Sequence, residues 1–290
     1  MSSPVAMRLQ LRVELKRLRV EAGLTQKYVA DRLDWSPSKV IRIENGQVAV
    51  AVSDLRALTA IYGQRDEQVL ATLERLARGS KRLPFTEYRD ILTSDTINFF
   101  GYEGSAAVIR QVNPAVVPGI LQAEEYARSV LGLRDRTPAE IDRMVQTRRD
   151  RQEILESDRP LLHFILDESV LRRQVGGPSV MRSQLSWILE LVDSGRISVQ
   201  VLPFELGYHE CLRGSFVHLE FGSASESDIL FMENAWGGRP QFFEDLETTG
   251  SYKEIFYGLE NKALDAIAST ALIRGIQEFL ETVTESGATG

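Results

Sequence analysis

A chain of 290 residues with 43% apolar content is long enough for two domains, each with its own core. It has no apolar run of membrane-spanning length, its opening turns read as an amphipathic helix rather than a signal peptide, and the single Cys211 excludes an intrachain disulfide, all of which point to a reducing cytoplasm and no membrane partner. The net charge of −7 is unevenly divided: residues 1–82 hold 15 Lys/Arg against 9 Asp/Glu, or +6, and the remainder 19 against 32, or −13, so that only the amino-terminal end is suited to phosphate.

The first predicted element is a helix with Met7, Leu11, Leu15, Leu18 and Ala22 on one face. Residues 24–46, LTQKYVADRLDWSPSKVIRIENG, read as two short helices joined by a tight turn. Thr25 caps the first, with Leu24 and Val29 placed as a hydrophobic staple; Ser36 caps the second, with Pro37 in the first helical position and Trp35 and Val40 repeating the staple. Ala30 permits close helix contact, and Asp34 can take the left-handed conformation of the turn. Val29, Leu33, Val40 and Ile43 point inward at helical spacing, which leaves Ser38, Lys39 and Arg42 on the outer face of the second helix. Hydroxyl, ammonium and guanidinium groups on such a face suit the major groove of duplex DNA. Next come a helix capped by Ser53 through Leu55, Leu58 and Ile61, and a fifth with Val69, Leu70, Leu73 and Leu76; the breakers and charges of residues 79–84 then read as a boundary.

Gln26, Ala30, Val40 and Ile43, followed by Glu44, Asn45 and Gly46, resemble the helix-turn-helix of Cro/CI-like (XRE-type) repressors over roughly residues 8–80. The resemblance implies that Gln26 and Asn45 contact phosphates while Ser38, Lys39 and Arg42 face bases, with Thr25 and Ser36 at the two helix starts of the same interface. It also implies a structural ion pair between Arg19 and Glu44. The family's usual turn glycine is replaced by Asp34.

Residues 85–284 read as an α+β domain with a mostly antiparallel or mixed sheet. A helix is expected from about Thr86 to Phe100, then a strand at 107–112 and a helix opening on Glu124 and Glu125. Thr137-Pro-Ala-Glu140 is a capping box that starts a long basic helix through Arg148, Arg149 and Arg151. A strand at 161–166 ends at Asp167, which caps the next helix; Gly176-Gly-Pro178 separates that from another helix. Strands at 197–202, 215–221 and 229–232 and helices at about 247–259 and 263–282 complete the domain, and residues 285–290 read as a disordered tail.

Groups suited to chemistry are sparse here. His209-Glu-Cys211 would need a distant fourth partner to hold a metal, and His163 and His218 lie in apolar strands without ligand spacing. Asp167 and Glu168 form an acidic pair without a nucleophile beside it. Arg148, Arg149 and Arg151 read as a solvated helix face rather than an acidic-partner site. No metal site, cofactor or catalytic residue is therefore expected.

VNPAVVPGILQAEEYARSVL, RRDRQEIL, FILDESVLRR and SVQVLPF resemble the carboxy-terminal domain of actinobacterial WhiJ-like, antitoxin-like regulators, commonly encoded beside a very small protein. That resemblance covers nearly all of 85–284 and carries no established chemistry. Pro118, Gly119, Leu121, Gln122 and Tyr126 match it best and read as a turn before a helix start.

The expected division is a helix-turn-helix domain at 1–80, a linker at 81–84, the α+β domain at 85–284 and the tail. The expected function is a homodimeric regulator, repressor or antitoxin-like, whose body binds a small neighbouring protein or a small-molecule ligand. A stripe of Leu264, Ile267, Leu272, Ile276 and Leu280 is its candidate dimer face. The alternative is a DNA-directed enzyme or toxin with an unrecognised catalytic site in 85–284.

Overall fold

The computed structural model describes residues 4–46, 48–80, 84–133, 135–157, 160–222, 227–233 and 240–287. They form two compact units, Met1–Ser105 and Ala106–Gly290.

The first unit is all helical: α1 (Pro4–Glu21), α2 (Gln26–Arg32), α3 (Pro37–Glu44), α4 (Val52–Ile61), α5 (Glu67–Gly79) and α6 (Ser94–Glu103). Leu11, Leu15, Val29, Val40, Leu58 and Leu73 meet in one core. The cap of α4 is Ala51, not Ser53. Burial of Val50 sets how the chain enters the helix, so the first turn starts early and Ser53 falls inside it.

Residues 81–83 of the expected linker lie outside the described residues, and the division between units falls later, at Ser105/Ala106. The reason is that α6 packs on α1 and the residues before it fold onto α6. Phe85, in left-handed backbone (φ 61°), packs edge-on against Phe100 with centroids 5.3 Å apart. Gly101 meets Val5 so closely that an added Cβ would lie 2.6 Å from Cγ2, and Arg12 stacks over Tyr102 at 5.7 Å. The long helix expected from Thr86 is a single 3-10 turn at Thr86–Tyr88, and α6 starts only where Thr93 accepts from the Thr96 N–H.

The second unit holds a six-stranded mixed sheet in the order β3-β2-β1-β4-β5-β6: β1 (Val108–Asn113), β2 (Leu161–Asp167), β3 (Ser198–Leu202), β4 (Phe216–Glu220), β5 (Ile229–Met232) and β6 (Gln241–Phe243). Strands β1, β2 and β3 run parallel because the segments between them are long enough for helical crossovers. These are α7 (Glu124–Leu131) and α8 (Pro138–Gln152), then α9 (Glu168–Arg172) and α10 (Pro178–Asp193). The pairings of β4 with β1, β4 with β5 and β5 with β6 are antiparallel. β6 was not expected; at three residues it is too short to show a period-2 pattern.

The capping box at α8 forms on both sides: Thr137 accepts from the Glu140 N–H, and the Glu140 carboxylate accepts from the Thr137 N–H. α11 (Leu246–Glu260) covers one face of the sheet through Phe256 and Leu259, while α12 (Ala266–Gly287) packs on α10 and β3. α12 corrects the tail: residues 285–287 continue the helix, which meets no proline, and residues 288–290 lie outside the described residues. The closing stripe is also divided. Ile276 and Leu280 are intrachain core, whereas Ile267 is 84% exposed.

Candidate nucleic-acid interface

The α2–α3 pair is built by its caps and its turn. Thr25 accepts from the Tyr28 N–H and Ser36 from the Lys39 N–H. Asp34 sits in left-handed backbone at φ 53°, which turns the chain so that the Trp35 N–H reaches the Ala30 carbonyl at 2.9 Å. Val29, Ala30, Val40 and Ile43 are buried beneath. Ser36→Ala is expected to lower the stability of this unit by about 1 kcal/mol, because the Lys39 N–H loses its acceptor; urea unfolding checks it, and an unchanged midpoint would contradict the cap's role.

The outward face of α3 differs in detail from the sequence expectation. Ser38, Ile41, Arg42 and Asn45, at spacings of three and four, are all exposed and form one stripe. Ile41 is 40% exposed and was missed; the signal was its three-residue spacing from Ser38. Arg42 lies along its own helix, its Nε donating to the Ser38 carbonyl at 3.2 Å. Lys39 sits on the flank, its Nζ 3.0 Å from Asp54 and 3.5 Å from the centroid of the Trp35 ring, so reaching a base would require leaving both.

Beneath the stripe is a buried polar tie. Arg19 Nε donates to Glu44 Oε1 at 2.6 Å and Nη2 to Oε2 at 3.0 Å, while Nη1 reaches the Leu24 carbonyl at 2.7 Å. Gln26 Nε2 donates to Glu44 Oε2 at 2.8 Å, which links the start of α2 to the end of α3. The hydrogen bond to Glu44 raises the proton affinity of Arg19. Burial, with Glu44 nearby, likewise raises the phenol of Tyr62. Past α3, Gly46 takes φ 65°, and Arg12 Nη1 donates to the Asn45 carbonyl at 3.1 Å.

In the second unit the chemistry-bearing groups are committed to structure. Asp167 caps α9 and lies 3.2 Å from His209 Nε2. Glu168 accepts from Arg172 and from the Phe204 N–H. Cys211 is buried, and its thiol is pushed up to about 12, first by desolvation and then by Asp167, the opposite of a nucleophile's shift. The basic run of α8 is not a uniform solvated face. The Arg149 side chain is 55% exposed, but Arg151 is only 8% exposed against the 3-10 turn at Gly119–Leu121, and Arg148 is half-buried against Gln122 just after that turn. Among the described residues, no group of three or more His, Cys, Asp or Glu is placed to hold a metal, and no helix is long and apolar enough to cross a membrane.

Two family models match the chain. One, described as a helix-turn-helix domain, covers residues 10–73; the other, described as a domain of unknown function (DUF5753), covers residues 97–275. No curated protein and no solved structure matches.

Proposed function

From the premise that the chain belongs to the DUF5753 family, with a helix-turn-helix domain ahead of the family domain, we propose that it is a sequence-specific regulator of transcription. The observation that carries this reading is the α3 stripe. A capped, apolar-backed helix leaves a hydroxyl, an aliphatic side chain, a guanidinium and an amide exposed in one row. Those groups answer the major groove, where Arg pairs with guanine and an aliphatic side chain meets the thymine methyl. The basic balance of residues 1–82 supports the same pose.

In this reading Arg42 and Ser38 face bases, Ile41 adds an apolar contact, and Thr25, Gln26, Ser36 and Asn45 border the phosphates. Lys39 joins the base contacts only by exchanging Asp54 for DNA. The protein acts in the cytoplasm as a homodimer on a pseudo-palindromic site, as a repressor or antitoxin-like autoregulator of the WhiJ-like kind. Its acidic body works by binding a small neighbouring protein or a ligand, not by catalysis. The structural commitment of Asp167, Glu168 and Cys211 supports binding over chemistry.

Mobility shifts on duplex fragments, with footprinting of the retained ones, test this. Arg42→Ala is expected to cost ~1–3 kcal/mol on the preferred site and to relax preference at one base position. Gln26→Ala is expected to weaken all duplexes evenly, because phosphates carry no base identity. A chain that retains no duplex above nonspecific background, or an Arg42→Ala variant with unchanged preference, would refute the reading.

A further inference from the structure

The arginines of α8 pose a physical problem that the DNA-reading unit does not answer. Arg148 is half-buried, and among the described residues its hydrogen bonds go to neutral oxygens: Nε to Gln122 Oε1 at 2.9 Å and Nη1 to the Met144 carbonyl at 3.3 Å. Among the described residues it has no carboxylate at ion-pair distance. A desolvated cation without a countercharge is costly, and the guanidinium has five donors in a fixed fork, of which these two bonds use two.

Its neighbours add positive field. Arg151 lies three residues on, with Nη1 3.2 Å from where a Cβ at Gly119 would stand, and Arg136 donates to the Leu131 carbonyl at 3.1 Å. Burial, then Arg151, then Arg136 pull the Arg148 proton affinity down, to about 10, with Glu233 acting the other way.

The surrounding frame is rigid. Gln122 Nε2 donates to the Val117 carbonyl at 2.8 Å, which fixes the amide so that its oxygen faces Arg148. Gln152 Nε2 donates to the carbonyls of Ile120 and Gln122 at 3.0 and 2.9 Å, and the Tyr126 hydroxyl accepts from the Val117 N–H at 3.1 Å. The turn residues singled out in the sequence therefore aim a guanidinium. We propose that Arg148, in the field of Arg136 and Arg151, binds the oxyanion group of a small molecule, a phosphate or a carboxylate. The planar fork matches two oxygens of either group. This site lies in the second unit, and its assignment does not rest on DNA reading by α3.

Calorimetry on the full chain in chloride buffer, titrated separately with inorganic phosphate and with acetate, tests the site. Saturable binding of at least one is expected, weakened at least tenfold by Arg148→Gln and less by Arg148→Lys, which keeps the charge but loses the fork. Arg149→Gln should stay within twofold of the parent, and Arg42→Ala should leave the anion response in place, separating this site from the α3 face. Which anion binds identifies the group. Circular dichroism checks that each variant is folded; if Arg148→Gln is not, Arg148→Lys decides, with at least a threefold loss expected. Absence of binding by both anions, or binding that the folded Arg148 variants leave unchanged, overturns the proposal.

Discussion

Arg19→Ala is expected to destabilise the helix-turn-helix unit by about 3–5 kcal/mol, because it strands a carboxylate in the interior. The Glu44 side chain is only 1% exposed, and among the described residues Arg19 supplies two of the three hydrogen bonds it receives, with Gln26 giving the third. The same guanidinium holds the Leu24 carbonyl, so the start of α2 loses its anchor too. Hydrogen exchange of the α2 and α3 amides in urea reads the effect locally. Adding Glu44→Gln to the variant should restore at least about 1 kcal/mol, since a neutral amide is less costly to bury than an unpaired charge. A loss below about 1 kcal/mol, or no recovery in the double variant, would show that the pair is not what ties α1 to the end of α3.

The second large effect is acid sensitivity in the sheet. His218 on β4 is fully buried, with Nδ1 3.9 Å from Glu220 and Nε2 3.5 Å from Asp228, and Lys253 and Arg110 also face it. Burial, reinforced by the two cations, holds its pKa down to about 4, although Glu220 opposes the shift. An unfolded imidazole takes its proton near 6.5, so between about 6.5 and 4 the unfolded chain binds one proton more than the folded one. The stabilisation is complete above 6.5 and is lost as the pH falls toward 4. Between pH 7 and 5 this amounts to about 2 kcal/mol. Urea unfolding at both values should show that loss in the parent and a smaller one in His218→Gln. The same pH dependence in both proteins would exclude His218 as its source.

Local rules made much of this molecule readable from its sequence. Thr25, Ser36 and Asp34 shape the α2–α3 turn through their own backbone chemistry, and the Thr137–Glu140 box starts α8 in the same way. What stayed hidden depends on long-range packing. Gly101 and Tyr102 draw residues 85–105 into the first unit through contacts with Val5 and Arg12, and Phe85 packs on Phe100 within that segment, none of which a local breaker signals. Lys39 is diverted by Asp54, fifteen residues away on α4. Arg148 and Arg151 look like surface charges in the sequence, yet Gly119 meets Arg151 and Gln122 takes a hydrogen bond from Arg148. Helix periodicity predicts which residues share a face; only the partner element decides whether that face meets water.

Selection of binding sites from a random duplex pool, run in parallel with the intact chain and with Arg42→Ala, reads directly whether α3 recognises base sequence. The intact chain is expected to enrich a two-fold-related motif, and Arg42→Ala the same motif with one position in each half-site relaxed. A pool that stays random with the intact chain, or an identical motif from the variant, would contradict sequence reading by α3.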